Sequence, residues 1–130
     1  MVRSARRGGA RMLGRSMAYD ETLVARVRAL LAVHDDVREQ PMFGGLAFMV
    51  AGTMACGVLR DRLMLRLGDD GGREALREPH VAPMDFTGRP MTAMVWVEPT
   101  GTRDDGELAR WVERAAEHAI THPTRRRRRR

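Results

Sequence analysis

Apolar positions along this chain recur at two periods, and the switch between them marks out its elements. Leu23, Val24, Val27, Leu30 and Leu31 lie at helical spacing behind Asp20, a good N-cap, and Glu21, which suits a first turn. This predicts a helix that ends near His34-Asp35-Asp36, with Glu39-Gln40-Pro41 stopping any continuation. From Met42-Phe43-Gly44-Gly45 onward the apolar residues come in short runs. Leu46 to Val50 and Met54 to Leu59 are separated by Ala51-Gly52-Thr53, and Arg60-Asp61 turns the chain again. Arg62 to Leu67 then alternates: Leu63, Leu65 and Leu67 face one side, and Arg62, Met64 and Arg66 face the other. That is the pattern of a half-buried antiparallel strand.

Gly68 to Gly72 reads as a loop and Arg73 to Glu78 as a short helix closed by Pro79. Pro83 to Phe86 approaches a fourth strand, Thr87 to Pro90 turns, and Met91 to Glu98 forms a fifth, ended by Pro99. Thr102 with Asp105, or Asp104 with Glu107, supplies capping-box spacing for a last helix. Its apolar stripe is Leu108, Trp111, Val112, Ala115, Ala119 and Ile120, and Pro123 ends it. Strands cluster in blocks without βαβ alternation. The expected class is therefore α+β: a two-layer sandwich with an antiparallel sheet of about five strands, in the order α-β-β-β-α-β-β-α. The first and last helices should cover one sheet face and leave the other more open.

Charge changes the picture. Residues 1–16 hold five arginines and no acid, and the last six residues are all arginine. Residues 17–124 hold 12 arginines and all 17 acidic residues, a net charge of −5 inside a chain whose total is +6. A pI near 11 usually suggests a nucleic-acid binder. Here that inference attaches to the tails and not to the acidic middle. The expected organisation is a disordered basic extension over 1–16 (with Met17-Ala18-Tyr19-Asp20 reading as an alternative start), one domain over 17–123, and a polyarginine tail over 124–130. With a single cysteine, Cys56, no intramolecular disulfide can form, and no apolar run approaches the ~20 residues of a membrane span. A cytoplasmic protein without a membrane role is expected.

Few residues invite chemistry. His118 and His122 share a helix face at metal-ligand spacing, but Ala119 stands where a His-Glu-x-x-His site needs its general base. Their place near a helix C-terminus is explained by the helix dipole. Cys56 sits mid-strand with no adjacent histidine, so a buried, inert thiol is expected. The acid pairs Asp35-Asp36, Asp69-Asp70 and Asp104-Asp105 fall at loops and helix starts, where cap and turn chemistry accounts for them. Gly44-Gly45 and Gly71-Gly72 lack the patterns of a phosphate-binding loop. Ten methionines admit core filling, or an adaptable binding face around Met42, Met64 and Met94.

The stretch Pro41-Met42-Phe43-Gly44-Gly45-Leu46-Ala47-Phe48, followed by Gly52-Thr53-Met54, resembles the signature of the TfoX/Sxy N-terminal domain family. Leu63 to Leu67, Pro83-Met84-Asp85-Phe86 with Gly88-Arg89-Pro90-Met91, Val95 to Pro99, and Asp105 to Ala115 resemble its later strands and closing helix, so that the likeness spans about residues 17–120. It implies a two-layer domain of secretion-chaperone-like topology. The name-giving proteins are competence regulators that act in transcription through partner proteins, and they carry a second, DNA-binding-like helical domain. Here only arginines follow Thr124, so a stand-alone domain is expected. The resemblance implies no catalytic residue.

The expected function is thus a non-enzymatic regulatory or protein-interaction module without cofactor or metal, acting as a monomer or homodimer. Its partner would be a protein such as a transcription factor. The candidate surface is Met42, Phe43, Gly44, Gly45, Met64 and Arg66. The alternative is a nucleic-acid accessory protein binding without sequence preference through Arg125, Arg126, Arg127, Arg128, Arg129 and Arg130.

Overall fold

The computed structural model describes residues 19–84 and 91–123. Helix α1 (Glu21–Leu31) begins where Asp20 accepts hydrogen bonds from the backbone amides of Thr22 at 2.9 Å and Leu23 at 3.2 Å. Six strands follow the sequence as β1 (Val37–Met42), β2 (Gly45–Val50), β3 (Thr53–Leu59), β4 (Arg62–Arg66), β5 (Val81–Met84) and β6 (Met91–Val97). Helix α2 (Gly68–Ala75) lies between β4 and β5, and α3 (Asp105–Thr121) closes the order after a 3-10 turn at Pro99–Gly101. All pairings between these six strands are antiparallel, and the sheet runs β1-β2-β3-β4-β6-β5. The class is α+β, with helices layered on one face of an open sheet.

Pleating assigns every strand residue to a face. Rows of register partners run across the sheet: Leu46, Val58, Leu63 and Val97 form one, and Phe48, Cys56, Leu65 and Val95 the next but one. Both rows belong to the main core, with Leu23, Val27 and Leu31 of α1, Ala75 of α2, and Leu108, Trp111, Val112 and Ala115 of α3. Each such side chain taken fully out of water stabilises the fold by roughly 1.5–3 kcal/mol, less for the alanines. Arg110 and Arg114 lie over the Trp111 ring at 4.5 and 4.9 Å, covering its outer surface. Arg28 of α1 forms a forked pair with Glu39 of β1, which ties the first helix to the edge strand.

Several expectations require correction. The sheet has six strands, because Val37–Met42 pairs with β2 through a polar run containing Pro41. An edge strand tolerates both, since proline forfeits only an outward donor and polar side chains meet water there. Gly68 to Gly72 is helical, and α2 ends at Ala75, short of the expected Glu78. Its glycines lower helix propensity, but Asp69 and Asp70 favour the positive end of its dipole. Ile120 is exposed, and Ala116 takes its expected place in the core. α1 ends at Leu31, before the expected His34-Asp35-Asp36, and the strand expected from Pro83 is Val81–Met84. Asp104 caps α3 as expected by accepting from the Glu107 amide at 2.9 Å, and Leu63 and Leu65 are buried beneath the helices. The expected turn at Thr87–Pro90 and both tails lie outside the described residues.

Gly72 sets how closely α2 approaches the sheet. A Cβ there would overlap the Thr92 carbonyl of β6, a backbone group with no freedom to yield. Gly72→Ala should therefore lower unfolding stability by about 1–3 kcal/mol, the usual range for overpacking. Urea denaturation reads this as a lower midpoint, and an unchanged midpoint would contradict the close packing of α2.

Candidate functional site

The helix-free face of the sheet is built from the alternate residues of the same strands. Its central row is Ala47, Gly57, Met64 and Trp96. Met64, Met84 and Trp96 form a second buried cluster, edged by partly buried Met42, Met54, Leu59, Ala82 and Met94. Five of the chain's ten methionines meet here, and no helix of the described residues contributes to the cluster. Gly57 lets the Met64 thioether lie across it, because a Cβ would come within 2.8 Å of the Met64 methyl. Arg62 stacks over the Trp96 ring at 4.1 Å, with Glu98 at 3.7 Å from its guanidinium. The notch between Met42, Phe43, Met64 and Trp96 has room for only about 10 Å³, so a ligand side chain enters only if the methionines shift. Unbranched methionine can shift in this way.

The β1–β2 hairpin presents this face's most exposed apolar residue. Its two-residue turn is Phe43-Gly44, with φ of 52° and 80°, the left-handed pair that a type I′ turn requires. Gly44 adopts this freely, whereas Phe43 pays roughly 1–2 kcal/mol for it. Phe43 is nevertheless 76% exposed. A Cβ on Gly45 would overlap the Val58 carbonyl, so that position keeps β2 and β3 in close contact.

The sequence-predicted residues divide. Met42, Phe43 and Met64 gather on the helix-free face, with Gly44 and Gly45 shaping the turn beneath them. Met64 is 7% exposed, while Met42 and Met94 are half-buried. Arg66 reaches instead toward the end of α3, where its Nη2 donates to the His122 carbonyl at 3.4 Å. Its Nη1 is buried and has no hydrogen-bond partner among the described residues. Arg125 to Arg130 lie outside the described residues. Sequence reasoning passed over Trp96, Leu59 and Met54 as members of the face. The signal was the alternation of Met94 and Trp96 against Val95 and Val97, the same period-2 pattern recognised in β4.

The remaining candidates are occupied structurally. Cys56 is fully buried, and burial pushes its thiol up to about 12, which leaves no thiolate at neutral pH. The His118 and His122 rings stack 4.4 Å apart, and no group of three or more potential metal ligands occurs among the described residues. Burial holds the His118 imidazole below the usual histidine range, and the His122 ring and the Arg66 guanidinium push it the same way. In the acid pairs, Asp104 caps α3, Asp105 pairs with Arg26 at 2.8 Å, Asp70 with Arg73 at 2.9 Å, and Asp69 accepts from Thr92 at 2.8 Å. No helix of the described residues is long and apolar enough to cross a membrane.

The model of the TfoX N-terminal domain matches residues 29–119, most of the chain and nearly all of the described fold. The chain belongs to the TfoX N-terminal domain family. Among curated proteins, no sequence matches it. The matched span contains the whole helix-free face, including the Phe43-Gly44 turn, so that face is part of the family domain and not an addition to it.

His118 is more readily protonated in the unfolded chain than in the folded one. Its contribution to stability is therefore complete above the ordinary histidine pKa, about 6.5, and is lost as pH falls through the lowered folded value. The urea midpoint should decline as pH falls below about 7, and His118→Gln should lessen that decline. Equal declines in both proteins would contradict the assignment. Cys56 should resist an aromatic disulfide reagent in the native protein and react only on unfolding. Rapid labelling under native conditions would overturn its burial.

Proposed function

We propose that this domain is a non-enzymatic protein-interaction module of TfoX type. It would bind a protein partner in the cytoplasm through the helix-free face of its sheet and serve in transcriptional regulation, as the competence regulators of the family do. One observation carries the reading: a phenylalanine is held mostly exposed in a turn conformation that disfavours it, beside a cluster of methionines. Local strain of this kind persists where another demand outweighs it. Aromatic residues dominate binding energy at protein interfaces, and methionines adapt to the partner's shape. The inert Cys56 and the capping or pairing duties of the acidic residues favour binding over chemistry.

A second reading rests on the six terminal arginines, which would neutralise phosphates and release counterions without reading sequence. It concerns the tail and is compatible with a protein partner for the domain.

Phe43→Asn separates stability from binding. Asn-Gly is the preferred pair for this turn, so the substitution should raise stability by about 1 kcal/mol. It should also abolish recovery of any partner that the wild-type chain captures at stoichiometric amounts. A variant that is more stable and still captures the partner would remove Phe43 from the function. For the second reading, fluorescence anisotropy with a random DNA duplex should show tight, salt-steep binding by the full chain. The log–log slope should be about −0.9 per phosphate contact, and binding should vanish when Arg125–Arg130 are all replaced by serine. Retained binding would place the contact elsewhere.

A further inference from the structure

We infer that the helix-free face recognises an amphipathic helix whose apolar ridge is flanked by carboxylates. This rests on the reading of that face as an interaction surface and adds the chemistry of the partner. The six strands carry three cations: Arg38 and Arg62 lie on the helix-free side, while the Arg66 guanidinium turns away to the end of α3. The only acid within the strands is Glu39, which lies on the opposite side and pairs with Arg28 of α1. The methionine cluster is thus edged by the two guanidiniums of Arg38 and Arg62, and their acidic neighbours come from outside the strands at loose distances. Asp36 stands 3.9 Å from Arg38, and Glu98 stands 3.7 Å from Arg62.

This charge pattern sorts the candidate occupants. Residues 1–16 and 125–130 of the chain carry only arginine charges and would be repelled from an arginine-edged face. A second copy would bring the same two arginines, Arg38 and Arg62, into the interface. Nucleic acid would satisfy the cations but would set its phosphates against methionine, which offers them nothing. An acidic amphipathic segment satisfies both features, with apolar residues on the methionines and Phe43 and carboxylates at Arg38 and Arg62. A helix suits the broad face of a sheet. The edge strand β1 is less open to an added strand, because Pro41 has no amide proton to donate. The arginine tails would also steer an acidic partner toward the domain and raise its association rate.

The test pans a phage-displayed library of random peptides, roughly 16 residues long, against the full chain near physiological salt. Phe43→Asp serves as the control protein, since aspartate tolerates the left-handed turn. The expected result is enrichment of sequences with apolar residues at helical spacing flanked by Asp or Glu. A synthetic copy of the leading peptide should bind Phe43→Asp at least about tenfold more weakly than wild type. Lysines in place of its acids should weaken it, and Arg62→Glu should recover the lysine version. Enrichment of neutral or basic peptides that still require Phe43 would overturn the charge inference and leave the interaction surface standing. No enrichment, or enrichment indifferent to Phe43→Asp, would overturn both. Displacement of the peptide by a short DNA duplex, or its loss as the protein self-associates on concentration, would assign the face to nucleic acid or to a second copy and overturn the inference.

Discussion

The pleat of one antiparallel sheet, with side chains alternating between its two faces, is the constraint from which the rest of the molecule follows. Leu63 and Leu65 point toward the helices, so Met64 must point away. Register carries that choice from β4 to its neighbours: Val58 and Cys56 join the leucines, while Gly57 lies under Met64. A slip of one residue would exchange the two sets and bury arginines beneath α3. Three tight hairpin turns at Phe43-Gly44, Ala51-Gly52 and Arg60-Asp61 hold the register, each with left-handed backbone at its first position.

The two faces differ in kind. The face under the helices is filled by Leu, Val and Phe, whose shapes fix a single packing, together with Trp111 from α3. The other is filled by methionine, whose three rotatable bonds fill space without fixing it. A sheet face with no helix packed on it would ordinarily carry Thr, Lys or Glu. Methionines and a strained, exposed phenylalanine there favour a surface shaped for something else to lie on. Membership in the TfoX N-terminal domain family places this surface within the shared domain.

Most of the architecture was legible in the sequence because periodicity was clean where burial was one-sided. The Arg62–Leu67 alternation, the stripe on α3 and the Asp20 and Asp104 caps all read directly. The failures share a cause. β1 and α2 carry little apolar signal of their own and owe their conformation to neighbours, β1 to the register of β2 and α2 to contact of Gly72 with Thr92. At the candidate site, Met42, Phe43 and Met64 were legible from the motif and the alternation. Trp96 was hidden in a run of β-forming residues until its pairing with Met64 placed it. Arg66 misled because parity gives the direction in which a side chain leaves the strand, not where a long guanidinium ends.

The account depends most on the half-buried rim of the methionine face being reachable from solvent in the free protein. Peroxide footprinting of the full chain, resolved by mass spectrometry at each methionine, measures this directly. Half-buried Met42, Met54 and Met94 should oxidise well ahead of fully buried Met84. Uniform protection of all four would mean that the face is already covered in the free chain, and would contradict the role proposed for it as a surface for a partner.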